Sequence, residues 1–71
     1  MSAPANVERA ASADAALMAY MSRTSSDCED CLADLLADLM HWAAKCEVVF
    51  ESELYRARCR YIAQLVKSGD L

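Results

Sequence analysis

An apolar seam constrains what this chain can fold into. Leu32, Leu36, Leu39, Ala43, Cys46, Phe50, Leu54, Ala57, Tyr61 and Leu65 recur at steps of three and four. That step is the period of one face of an α-helix, and no strand-like alternation competes with it. The only proline, Pro4, and the only glycine, Gly69, lie outside the seam. The sequence predicts an all-α protein.

Size limits how such a protein can be stable. The 71 residues suffice for a single helical domain spanning 1–71. A chain this short buries only about 60% of the surface its unfolded form exposes. Below roughly 80 residues, stability usually draws on disulfides, a metal, oligomerisation or very regular helix packing. Large apolar residues concentrate between Leu32 and Val66, so self-association is the expected supplement.

Charge and hydropathy narrow the surroundings. A formal net charge of −4 repels a phosphate backbone, which argues against direct nucleic-acid binding. The first twenty residues carry Glu8, Arg9 and Asp14 and lack the continuous apolar stretch of a secretion signal. No run approaches the ~18 apolar residues that a membrane span needs. A cytoplasmic location is expected, where thiols normally stay reduced.

Three helices are predicted. The first runs from about residue 4 to 22, with Ser2 as a cap and Pro4 in the opening turn. It is rich in alanine, and Val7, Leu17, Met18, Tyr20 and Met21 are its only sizeable groups. It forms readily but has little to bury. Arg23-Thr24-Ser25-Ser26 is a polar break, and Ser26 followed by Glu29 has capping-box spacing. A second helix over about 27–45 follows, and a third over about 50–67, stopped by Ser68-Gly69. The adjacent β-branched pair Val48-Val49 disfavours one unbroken helix from Asp27 to Lys67. Lys45 suits a helix end, and Glu51 with Glu53 suits a helix start. The expected architecture is an antiparallel helical hairpin with a short N-terminal helix.

The faces of these helices carry the functional reading. Asp30, Asp34, Asp38, His41 and Lys45 form one polar stripe on the second helix. On the third, Tyr55, Cys59, Ile62 and Val66 form an apolar row apart from the seam, spaced four, three and four like a heptad stripe. In an antiparallel hairpin this row falls beside Met40 and the alanines 33, 37 and 44. The hairpin cannot cover that surface itself. The first helix, a second copy or a foreign partner would have to, and a homodimeric helical bundle is favoured.

Chemistry is sparse. Cys28-Glu29-Asp30-Cys31 has the spacing of a zinc half-site, but Cys46 and Cys59 are isolated. In the hairpin, Cys31 and Cys46 sit about 22 Å apart at ~1.5 Å rise per residue, so no metal site is expected. His41, the only histidine, has Asp38 and Lys45 as helical neighbours and no nucleophile beside it. One glycine excludes glycine-rich phosphate loops. No catalytic residues and no cofactor are expected. The carboxylates Asp27, Asp30, Asp34 and Asp38 recur along the helix and could imitate nucleic-acid phosphates toward a basic partner. Alternatively, Asp34 and Asp38 pair with Arg56 and Arg60 across the hairpin. Trp42, at the margin of polar and apolar surface, is either a core-edge residue or an exposed anchor.

Leu32-Ala-Asp-Leu-Leu-Ala-Asp-Leu-Met-His-Trp42, followed by Phe50, Leu54, Arg56-Ala-Arg58 and Tyr61, resembles a group of short helical proteins from phages, prophages and plasmids of proteobacteria. In that group an Asp-Leu-Met-His-Trp segment precedes a short turn, often with glycine, and then a Phe…Arg-Ala-Arg…Tyr helix. The likeness covers about Leu32 to Tyr61, and this chain departs from the pattern by having no glycine at the turn. The group brings no activity that transfers to residues here. It implies a mobile-element origin in a bacterial host cell, where small acidic helical proteins act by stoichiometric binding. The expectation is a non-enzymatic inhibitor of a host protein, such as a defence nuclease complex or a transcription regulator. Asp30, Asp34, Asp38 and Trp42 would bind that partner. Met40, Tyr55, Cys59, Ile62 and Val66 would self-associate. The alternative is an oligomerisation or assembly factor with no inhibitory role; a metal-dependent regulator is a weaker third.

Overall fold

A computed structural model describes residues 4–69 of the chain. It contains three helices, α1 (Pro4–Thr24), α2 (Cys31–Lys45) and α3 (Phe50–Ser68), and no strand among the described residues. The all-α expectation holds. The predicted cap at Ser2 lies outside the described residues.

α1 starts at Pro4, whose fixed φ suits a first turn. It ends two residues later than the composition suggests. The Thr24 hydroxyl donates to the Tyr20 carbonyl at 2.7 Å, and Ser25 then turns left-handed at φ 60°. That conformation at a non-glycine residue closes the helix.

The entry to α2 is built differently from the predicted capping box. α2 has Asp30 at its N-cap and no side-chain cap bond, and Asp27 rather than Ser26 closes the turn before it: the Asp30 N–H donates to Asp27 Oδ1 at 3.0 Å, and the Cys31 N–H to the Asp27 carbonyl at 2.9 Å. Residues 28–30 form a helical turn that runs into α2. The Ser26 hydroxyl donates instead to Asp34 Oδ2 at 2.6 Å. A carboxylate one position later outcompetes the hydroxyl because it accepts more strongly.

Between α2 and α3 the chain breaks over residues 46–49, which excludes one long helix. The Val48 N–H donates to the Ala43 carbonyl at 2.8 Å and the Glu47 N–H to the Ala44 carbonyl at 3.3 Å. Glu47 takes φ 58°. These bonds and this angle define a Schellman ending, with Glu47 at the left-handed position where glycine is usual. At that position a side chain costs roughly 1–2 kcal/mol relative to right-handed backbone. α3 has no side-chain cap at Val49, but Glu51 and Glu53 in its first turn favour the positive helix end. It stops at Gly69, φ 79°, where no side-chain penalty applies.

Packing is where the structure departs most from the seam. Among the described residues only Cys31 and Ala43 are buried, at 7% and 2% exposure. Leu32, Leu36, Leu39, Leu54 and Tyr61 of the predicted seam remain exposed, with Phe50 and Leu65 half-buried. The α1–α2 contact is more extensive than the α2–α3 contact. Leu17, Tyr20 and Met21 share the half-buried face of α1, and Cys31 and Leu35 the covered face of α2. At the far end, Asn6 Nδ2 donates to Ser68 Oγ at 2.9 Å and reaches the Gln64 carbonyl at 3.5 Å, so the start of α1 meets the end of α3.

The result is an open arrangement. Its radius of gyration is 14.1 Å, where a compact chain of this length would have about 11 Å. The Cα trace measures 36 × 27 × 16 Å. Three splayed helices enclose almost no interior.

Candidate interaction surfaces

The residues expected to bind a partner sit on α2 and at its entry, with a geometry of their own. Asp38 Oδ2 accepts from the Tyr20 hydroxyl at 2.5 Å, and Asp34 Oδ2 accepts from Ser26. The predicted pairing of these acids with Arg56 and Arg60 is therefore corrected. The one ion pair among the described residues is Arg56 with Glu53, at 2.9 Å, one turn apart on α3. Arg56 thus spends its fork on its own helix, and Asp34 and Asp38 tie α2 to α1 and its linker. An exposed pair of this kind contributes little stability.

The Tyr20–Asp38 bond has an electrostatic consequence. Donating to the Asp38 carboxylate pushes the Tyr20 hydroxyl up to about 12, with partial burial and the charges of Asp38 and Asp34 adding to the shift and the Thr24 contact opposing it. Ionising Tyr20 would place a third anion beside two carboxylates. Sequence reading counted Tyr20 only among the apolar groups of the first helix. Its hydroxyl sits 18 residues from Asp38, a separation at which periodicity gives no signal.

Asp30 is exposed at the start of α2, and its N–H helps close the Asp27-capped turn. Trp42 is 56% exposed, and His41 beside it is exposed. The core-edge alternative for Trp42 does not hold within one chain. Tryptophan is costly to leave in water, because its large apolar body is what gives it value in a contact.

Every member of the self-association row is uncovered. Tyr55 is 69% and Val66 61% exposed, and Met40, Cys59 and Ile62 are exposed as well. α1, one of the three candidate covers, leaves them exposed. Leu54, Tyr55, Glu51 and Arg58 line an open groove of about 540 Å³ along α3. These four positions follow helical spacing, so a side chain from a facing helix would enter between them.

Among the described residues no three His, Cys, Asp or Glu side chains gather as metal ligands. No helix among the described residues is long and apolar enough to cross a membrane. Comparison with protein-family models, with curated proteins and with solved structures finds no match to this chain.

Proposed function

We propose that this chain is a non-catalytic helical interaction module that completes its fold by pairing with a second copy of itself. One observation carries the reading: the chain exposes 5887 Å², about 1,500 Å² more than the ~4,400 Å² of a compact monomer of its mass. A standard specific interface removes about 800 Å² from each partner, and obligate homodimers remove more. The excess is therefore of the size that an obligate homodimer buries per protomer.

The character of the surplus surface supports the same reading. Among the described residues thirteen large apolar side chains are exposed, including Leu32, Leu36, Leu39, Met40, Tyr55, Ile62 and Val66. Isolated exposed leucines are ordinary, but two buried residues against this many uncovered ones among the described residues amount to a core displaced to the surface. Pairing α2 and α3 of two copies through Met40 and the Tyr55–Cys59–Ile62–Val66 row would supply the missing interior as a helical bundle.

Sedimentation equilibrium at micromolar concentration tests this directly. A dimer mass with a concentration-dependent unfolding midpoint is expected. A folded, stable monomer at the same concentration overturns it.

The second reading, stoichiometric binding of a host protein, is favoured by the exposure of Trp42 beside the acids of α2. Asp30 and Trp42 are the residues best placed for it, since Asp34 and Asp38 already serve Ser26 and Tyr20. Its test is a Trp42→Ala variant that keeps the dimer mass and helicity yet loses host-protein capture. Equal capture by that variant removes Trp42 from the proposal.

A further inference from the structure

The first turn of α2 holds two thiols in a relation that the interaction reading leaves unused. Cys28 is exposed and Cys31 is buried, both are free, and the Cys31 Sγ lies 3.6 Å from the Cys28 carbonyl oxygen. Asp27 caps the turn between them, and the bonds from the Cys31 N–H to Asp27 and from the Asp34 N–H to Asp30 make it helical. Residues three apart on a helix have Cα atoms about 5 Å apart. A disulfide accepts Cα separations of about 4.4–6.8 Å.

We propose that Cys28 and Cys31 form a reversible dithiol–disulfide site whose oxidant is a small neutral hydroperoxide. The division of labour follows from burial. Cys28, open to solvent, meets the oxidant, and Cys31, shielded within one turn, resolves the product. Asp27, Glu29 and Asp30 set the choice of oxidant: three carboxylates around the turn act against the thiolate whatever the oxidant, but they also repel an anionic disulfide such as oxidised glutathione and do not repel an uncharged peroxide.

The chemistry balances in two steps. The Cys28 thiolate attacks one oxygen of hydrogen peroxide; the S–O bond forms, the O–O bond breaks, and hydroxide leaves as water after taking a proton. The Cys28 sulfenic acid then receives attack from the Cys31 sulfur. The S–S bond forms, the S–O bond breaks, and the departing hydroxide carries off the Cys31 proton as a second water. Two thiols lose two electrons in total, and one peroxide gains them. A dithiol reductant returns the pair by thiol–disulfide exchange.

Closure is intramolecular, so it has a high effective concentration compared with a second peroxide. Cys46 and Cys59, both exposed, have no cysteine one turn away. They have no comparable resolving partner within their own helices.

The wild-type chain suits the test, because trypsin releases residues 24–45 with Cys28 and Cys31 and no other cysteine. After one equivalent of hydrogen peroxide and alkylation, that peptide should be about 2 Da lighter and unalkylated, and dithiothreitol should restore both thiols. The disulfide should exceed Cys28 sulfinic acid by about tenfold or more. The same equivalent of oxidised glutathione should give less of it in the same time. In Cys31→Ser, Cys28 should stall as a sulfenic acid that dimedone traps, while the wild type gives little adduct. Helicity by circular dichroism checks that this variant folds. Peptide 24–45 joined instead to a peptide bearing Cys46 or Cys59, or dimedone labelling equal in both chains, overturns the proposal. Faster closure with oxidised glutathione than with peroxide overturns the assigned oxidant.

Discussion

The α1–α2 corner and the α2–α3 corner are built from opposite materials. α1 brings alanine and few large groups, yet it is held to α2 by Tyr20, by the half-buried Leu17 and Met21, and by a linker serine on Asp34. α2 and α3 carry most of the leucine and aromatic content and leave it open. Apolar content therefore does not tell where a chain will pack against itself. The poorer helix is docked with the help of directed hydrogen bonds, and the richer pair leaves its apolar faces uncovered.

The sharpest way to break this contrast is to charge the open side. Ile62→Glu with Val66→Glu should abolish the dimer mass in sedimentation and most of the helical circular dichroism with it. Burying a residue of this size is worth about 1.5–3 kcal/mol, whereas exposed sites in a true monomer change stability by roughly 0.5 kcal/mol or less. A double variant that stays folded shows that the face is solvent-facing in the working protein.

Next in size is the one residue sealed at the α2–α3 corner. Ala43→Leu should cost about 1–3 kcal/mol in denaturant unfolding, since added methylenes have nowhere to go at 2% exposure. A neutral outcome would mean that this corner is looser than its burial indicates. Glu47→Gly, four residues on, should gain about 1 kcal/mol by removing the left-handed strain at φ 58°. No gain would place the turn in another conformation.

The smallest effect belongs to the other corner and is spectroscopic. Tyr20 keeps its proton in the folded chain up to about 12, above its ordinary 10.0. A raised folded value means the bond stabilises fully below pH ~10 and is lost as pH climbs from there through 12. Tyrosinate absorbance should show one of the three tyrosines ionising late, and Tyr20→Phe should remove that late step. Three tyrosines titrating together in the wild type would contradict the Tyr20–Asp38 bond.

Helix existence and ends were readable from residue order, for identifiable reasons. Pro4 and Gly69 punctuate the outer ends, and Lys45, Val48-Val49 and Glu51 mark the break that the Schellman ending occupies. The start of α2 falls at Cys31, four residues beyond the expected Asp27, because Asp27 closes a separate turn over residues 28–30 before the helix begins, and a pattern does not rank Ser26 against Asp27 as partners for that turn. The angle between helices was not readable at all. Periodicity says that Leu36, Leu54 and Tyr61 share faces; it does not say that two such faces will meet. The exposure of Met40, Tyr55, Cys59, Ile62 and Val66 was anticipated from face geometry, whereas the destinations of Asp34 and Asp38 were not. Those depend on hydroxyls 8 and 18 residues away, brought near by a corner whose bend no local pattern records.

If the proposed pairing fills the near-empty interior, copy number becomes a thermodynamic variable for this molecule. If two protomers supply each other's missing centre, then dilution below the dissociation constant does more than separate them: it withdraws the solvent-shielded environment each needs to stay helical. Scarce copies would fray and feed proteases, and abundant ones would persist, so dosage alone would set how long such a dimer lasts.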